Sequence, residues 1–203
     1  MKYELMQNKD GKIAIFEDGN QISDWFDYIL MYETVYIGKK HNKQAIYDMQ
    51  TGKRISDYFE EIYIPEGFKK ITNFFIAGKD KKVAIFDIEG NQISEWFDNI
   101  NPDGLVEGKS SYYIASKDGK KAIYDINGNR ITEEFDDIKP IKGREDFKIF
   151  IAGRRDRRYR YARKYAIFDL EGRRISKWFG LLPYFPFITT DILDEILQTK
   201  MEV

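Results

Sequence analysis

Cysteine is absent from this chain of 203 residues, and histidine occurs once, as His41. The first absence excludes disulfides, thiolate nucleophiles and thiolate-bound metals. The second leaves little for zinc sites or Ser-His-Asp chemistry. No apolar run approaches the roughly 18 residues that a membrane-spanning helix needs. The opening MKYELMQNKDG lacks the apolar stretch of a secretion signal, so a cytoplasmic protein is expected. Charge of one sign is also missing: 33 Lys and Arg face 34 Asp and Glu. The overall balance therefore points to neither nucleic acid nor membrane. There is no glycine-rich phosphate loop and no nucleophile elbow. No cofactor or metal is expected.

What the chain does have is repetition, which is best read before anything else. The motif A-I-[FY]-[DE] places its isoleucine at Ile15, Ile46, Ile85, Ile123 and Ile167. A second motif, I-[ST]-x-x-F, places its isoleucine at Ile22, Ile55, Ile93, Ile131 and Ile175. A third element precedes each A-I motif, as in TVYIGKK and NFFIAGKD. These segments are short, rich in Ile, Phe and Tyr, and bounded by polar turn residues, which predicts β-strands. KDGK and NGN supply the Gly and Asn that tight hairpin turns require. In KVAIFDI both alternate faces are apolar, so the strand is expected to be covered on both sides.

The fold expected is all-β, with five repeats of about 38 residues over 1–180 and a closing segment with a short C-terminal α-helix over 181–203. A five-bladed β-propeller is the preferred arrangement, since a period near 40 suits four-stranded blades. F-[DE]-x-I, as in WFDYI, returns near the end as WFGLLP, a segment that could complete the first blade. The alternative is an open array of β-hairpin units, because ISEWFDNI leaves little chain to cross between distant strands. The tail TTDILDEILQTK puts Ile192, Leu193, Ile196 and Leu197 on one helical face, for a cap on the array or an oligomer contact.

The segment GKKAIYDINGNRITEEFDDI resembles the bacterial WG repeat, whose pattern runs roughly K-W-G-[FY]-I-D-x-x-G-K-x-[IV] and then an aromatic-Asp pair. The D-x-x-G turn is kept at Asp87 with Gly90, Asp125 with Gly128 and Asp169 with Gly172. The Trp-Gly pair is replaced, by Val83-Ala84, Lys121-Ala122 and Tyr165-Ala166. AIYDMQTGKRI is similar to the end of a WD-type propeller repeat. The resemblance implies repeat-based binding without a shared catalytic site.

The residues that might carry chemistry are few. Glu17, Asp48, Asp87, Asp125 and Asp169 recur once per repeat. Their spacing fails the calcium-loop pattern, and carboxylates that accept turn N–H groups are expected instead. Trp25, Tyr58, Trp96 and Trp178 share one repeat position, read as core, with Glu134 in the fourth copy suggesting a rim. His41 is read as a solvated turn residue.

One segment breaks the pattern. From Met6 to Ile15, Ile37 to Ile46, Ile76 to Ile85 and Ile114 to Ile123 the hairpin step is nine, but from Ile151 to Ile167 it is sixteen. The extra residues sit in a basic arm holding Arg154, Arg155, Arg157, Arg158, Tyr159, Arg160, Tyr161, Arg163 and Lys164. Arginine with interleaved tyrosine suits phosphate contact and base stacking, as well as pairing with the protein's own acidic surface. The function expected is a non-enzymatic scaffold for an unknown protein partner. Its alternatives are a nucleic-acid or polyanion binder through residues 154–164, and an enzyme with inter-repeat carboxylates.

Overall fold

A computed structural model describes residues 3–65, 74–101, 112–139, 149–155, 163–169 and 171–179. Every regular element among them is a β-strand. The expected C-terminal helix lies outside the described residues. Among those residues, no helix is long and apolar enough to cross a membrane.

Five three-stranded antiparallel sheets follow one another along the chain. The first holds β1 (Tyr3–Gln7), β2 (Ile13–Glu17) and β3 (Asn20–Gln21). The second holds β4 (Tyr28–Met31), β5 (Val35–Lys40) and β6 (Lys43–Asp48). The third holds β7 (Glu61–Tyr63), β8 (Phe74–Lys79) and β9 (Lys82–Asp87). The fourth holds β10 (Asn99–Asn101), β11 (Tyr112–Lys117) and β12 (Lys120–Asp125). The fifth holds β13 (Asp137–Lys139), β14 (Ile149–Arg155) and β15 (Arg163–Asp169). The chain divides into two compact units, Met1–Trp96 and Phe97–Val203.

The expected pairing of the third element with the A-I strand is present: Ile37 faces Ile46, Ile76 faces Ile85, Ile114 faces Ile123 and Ile151 faces Ile167. The first hairpin departs from the expected step of nine. Leu5, not Met6, faces Ile15, so this turn carries one more residue than the next three. Asn8 explains it, because its carboxamide oxygen accepts the N–H groups of Asp10 (2.9 Å) and Lys12 (3.0 Å) and holds a wider loop.

Successive sheets are joined by the F-[DE] dipeptide. Phe26 exchanges two backbone hydrogen bonds of 2.8 Å with Ile13 in the first sheet. The very next N–H, of Asp27, donates to Lys39 O at 2.8 Å in the second. Phe59 and Glu60 repeat the step with Gln44 and Gly78, and Phe135 and Asp136 repeat it with Lys121 and Gly153. One extended segment thus edges one sheet and starts the next, which is why ISDWFDYI needs no linker.

In the second to fifth sheets the interior is an aromatic triad. In the second sheet Tyr36 and Tyr47 stack at 5.0 Å with Phe26 edge-on to Tyr47 at 5.0 Å. Phe75, Phe86 and Phe59 repeat this, as do Phe150, Phe168 and Phe135. Such pairs add about 0.5–1.5 kcal/mol each beyond area burial. The A-I strands are buried on both faces as the alternation predicts, with Ala84, Ile85 and Phe86 all inside.

Candidate interaction surface

Backbone chemistry sets the frame of each repeat. The A-I isoleucine N–H faces a bulge in the following segment and not a carbonyl. A hydroxyl fills the gap: Ser23, Ser56, Ser94, Thr132 and Ser176 accept from Ile15, Ile46, Ile85, Ile123 and Ile167 at 2.8–3.0 Å. Each hydroxyl donates onward to the next residue's carbonyl at 2.9–3.0 Å. All five are buried. The I-[ST] motif is legible in the sequence, but this latch is not.

Asp48, Asp87, Asp125 and Asp169 accept turn N–H groups as expected. Asp87 Oδ1 accepts from Glu89 N (3.0 Å) and Asn91 N (2.8 Å), and Asp125 Oδ1 accepts from Asn127 N (2.9 Å) and Asn129 N (2.8 Å). Asp48 accepts from Thr51 and Asp169 from Arg173. Burial pushes the Asp125 carboxyl up, but the donated bonds outweigh it and leave the group below the usual range. Among the described residues, no three or more His, Asp or Glu side chains gather as a metal site.

A second set of acids clasps consecutive repeats. Asp27 pairs with Lys12 and accepts the His41 N–H at 3.0 Å. Asp136 pairs with Lys120 (2.6 Å) and accepts the Arg155 N–H (2.5 Å). The lysine bonds first, and the tip N–H groups after them, hold both carboxyls below their ordinary range. His41 itself sits at the exposed hairpin tip with φ of +49°, as the turn reading requires.

The shared aromatic position is not core. Trp25, Trp96 and Trp178 are half-buried and Tyr58 is exposed, while the adjacent Phe26, Phe59, Phe97 and Phe135 fill the interior. Where the residue four earlier is arginine, it is the partner. Arg54 lies 4.7 Å over Tyr58 and Arg174 5.6 Å over Trp178. In the fourth copy Arg130 instead bonds Glu134 at 2.9 Å, so the replaced aromatic keeps a partner. The Tyr58 hydroxyl also meets Tyr47 at 3.1 Å. Tyr47's hydroxyl, and behind it Arg54, draw the Tyr58 phenol below its ordinary value, whereas burial pushes Tyr36 up to about 12.

Of the basic arm, Arg154 and Arg155 end β14, and Arg163 and Lys164 begin β15. Arg157, Arg158, Tyr159, Arg160 and Tyr161 lie outside the described residues. Arg154 is engaged by its own chain: it bonds Glu133 at 2.5 Å and lies 5.4 Å from the Phe135 ring and 5.8 Å from Trp178.

Two surfaces remain, each within one unit. A cavity of about 280 Å³ has Ile100, Ile114 and Ile138 on its floor and Asn99, Asn101 and Lys121 at its rim. The Lys121 ammonium there bonds Asp137 at 2.7 Å. In the first unit, large apolar side chains reach solvent at Leu5, Met6, Tyr28, Leu30, Tyr58 and Tyr63. Sequence reading misses these exposures, since exposure of a strand residue depends on which neighbouring strand covers it.

No family model matches the chain, and no curated protein matches it. Among solved structures, it is similar to a eukaryotic initiation factor, with 16% identity over 89% of this chain and 55% of that one, at a TM-score of 0.45. It is also similar to Hsv2 of Kluyveromyces marxianus, with 10% identity over 90% of this chain and 63% of that one, at 0.41. The chain thus spans little more than half the length of the first.

Proposed function

We propose that this chain is a divergent WG-type repeat array that works as a protein-binding scaffold and not as an enzyme. The apolar side chains exposed on the first unit carry the reading: Leu5, Met6, Tyr28, Leu30, Tyr58 and Tyr63. Tyr28 and Tyr63 both act on the half-buried Tyr32, whose phenol is raised by burial first and by these two rings after it. Tyrosine and leucine side chains exposed to solvent suit a protein partner, because rigid aromatic rings lose little entropy on contact. Of the two arrangements considered, the open array is favoured over the five-bladed ring. Leu5 is 48% exposed, whereas its counterpart Ile37 is 3% exposed beneath β4. A closed ring would cover both.

The test is affinity capture from the source organism on immobilised chain, beside a Tyr28→Ser, Leu30→Ser, Tyr63→Ser variant. The expected result is a protein held by the parent and lost from a variant of unchanged melting temperature. Equal retention, or enzymatic turnover abolished by one carboxylate substitution, would overturn the scaffold reading.

The basic arm supports a second reading, polyanion binding through residues 154–164, because arginine dominates it. Affinity for single-stranded nucleic acid should then fall steeply with salt, and Arg157→Ser, Arg158→Ser and Arg160→Ser together should flatten the slope. Arg154's commitment to Glu133 weighs against it. No measurable binding at low salt would dismiss it.

A further inference from the structure

We infer that the cavity of the fourth repeat is a binding site for a short extended peptide segment, held along its main chain by Asn99 and Asn101 and seated by one aliphatic side chain. The site lies in the second unit with a lining of its own. It therefore goes beyond the surface read on the first unit and stands or falls separately from it.

Comparison with the sister repeats shows why the space is open here. In the fourth sheet Asn99 lies opposite Ser116, Asn101 opposite Ile114, and Ser116 in turn opposite Lys121. Side chains directly opposite one another share a face of the sheet, so these five surround one space. In the third sheet Gly78 stands in the place of Ser116, and the Glu61 side chain lies 2.6 Å from where a Cβ would stand. In the fifth sheet Gly153 has that place, and the Tyr165 ring fills the same space at 2.6 Å. In the second, Gln44 has the place of Lys121 and commits its carboxamide oxygen to the Ile62 N–H at 2.9 Å. The fourth repeat has no such filling side chain among its lining residues, and a cavity of about 280 Å³ results.

The lining selects the class of ligand. No aromatic ring belongs to it, so a nucleobase would find no face on which to stack. Its cation, Lys121, already bonds the buried Asp137 at 2.7 Å, so the site is close to neutral and does not select an anion. The two carboxamides remain to set specificity. Asn99 and Asn101 stand two residues apart on one face of β10, about 6.6 Å along the strand, and alternate peptide groups of an extended chain recur at the same spacing. A carboxamide has two donors and two acceptor lone pairs, so bonds made within the chain leave others for a peptide group. The isoleucine floor then takes one aliphatic side chain. The volume is near the lower end of ligand pockets, at about 300 Å³, which suits one residue with its two flanking peptide groups.

The probe is N-acetyl-leucine methylamide, one aliphatic side chain between two peptide groups, titrated into the isotope-labelled full chain and followed by NMR. Saturable shifts of the Asn99 and Asn101 side-chain amide signals are expected. Binding should weaken about fivefold in Asn99→Asp, which keeps the shape and removes the amide donors. It should weaken similarly in Asn101→Leu. The fifth sheet already carries Asp137 at the first place and the second carries Leu30 at the other, so the fold accepts both replacements. N-acetylglycine methylamide should bind about tenfold more weakly, for want of the side chain. Three results would overturn the inference: no saturation, saturation that neither substitution weakens, or tighter binding of methyl glucoside or propionate than of the leucine probe. Each would leave the capture test on the side chains of the first unit untouched, so the two readings fail separately.

Discussion

Five hydroxyl groups settle whether each repeat closes. A bulge between the A-I strand and the following segment leaves one isoleucine N–H without a ladder partner, and the [ST] hydroxyl supplies it from a buried position. The same oxygen donates to Glu95 O in the third repeat, so its removal strands a donor and an acceptor together. Ser94→Ala should therefore destabilise the chain by about 1–3 kcal/mol, the cost of a buried unsatisfied group. Thr132→Ser should be close to neutral, since four copies already use serine. Urea denaturation of both variants checks this, and equal stabilities would show that water takes the hydroxyl's place. The rim position shows the same economy in another form. Arg54 and Arg174 cover a ring, and Arg130 pairs with a carboxylate, so the fourth residue back changes partner without changing place.

At the scale of elements, the turn after the A-I strand of the second and third repeats has a second neighbour, the preceding repeat. Gly90 has φ of +90°, and a Cβ there would lie 2.6 Å from Ile55 O. Gly19 has a similar φ of +83°, but nothing lies within 4 Å of its Cβ position. The two glycines separate backbone strain from close approach. Gly19→Ala should cost about 1–2 kcal/mol, the left-handed penalty alone. Gly90→Ala should cost that and a further ~1–3 kcal/mol, because a backbone carbonyl of the neighbouring repeat must move. Matching losses in urea denaturation would show that the repeats do not press on each other at this turn. The D-x-x-G spacing then has a tertiary cause: the Asp holds the turn, and the Gly lets the preceding repeat approach.

At the scale of the whole molecule, the state of the β1 edge decides between the two proposed arrangements. An open array leaves the Leu5 and Gln7 amides facing solvent, while Met6 N–H lies on the ladder with β2. Hydrogen exchange followed by NMR should find Leu5 and Gln7 exchanging far faster than Met6 in the free chain. Protection of all three would support a closed ring, with a further strand of the same chain beside β1. The equivalent amides of Ile37 and Lys39, under β4, serve as the protected reference.

The repeat itself, its β character and its turns were legible in the sequence, because they rest on short-range chemistry. Alternating apolar residues in KVAIFDI, glycine at positive φ and Asp carboxylates on turn N–H groups need only a few neighbouring residues. The insertion in the last hairpin was legible too, since Arg155 still faces Arg163 before the extra residues begin. The tertiary structure decided everything that depends on a neighbouring strand. It placed Phe59 inside and left Tyr58 exposed, although both are large and aromatic, because adjacent residues of an extended segment face opposite sides. It moved the first hairpin's anchor from Met6 to Leu5, because Asn8 closes a wider loop than apolar spacing alone can reveal. It left Leu5 in solvent where Ile37 is buried, since burial belongs to the strand that covers a residue and not to the residue itself.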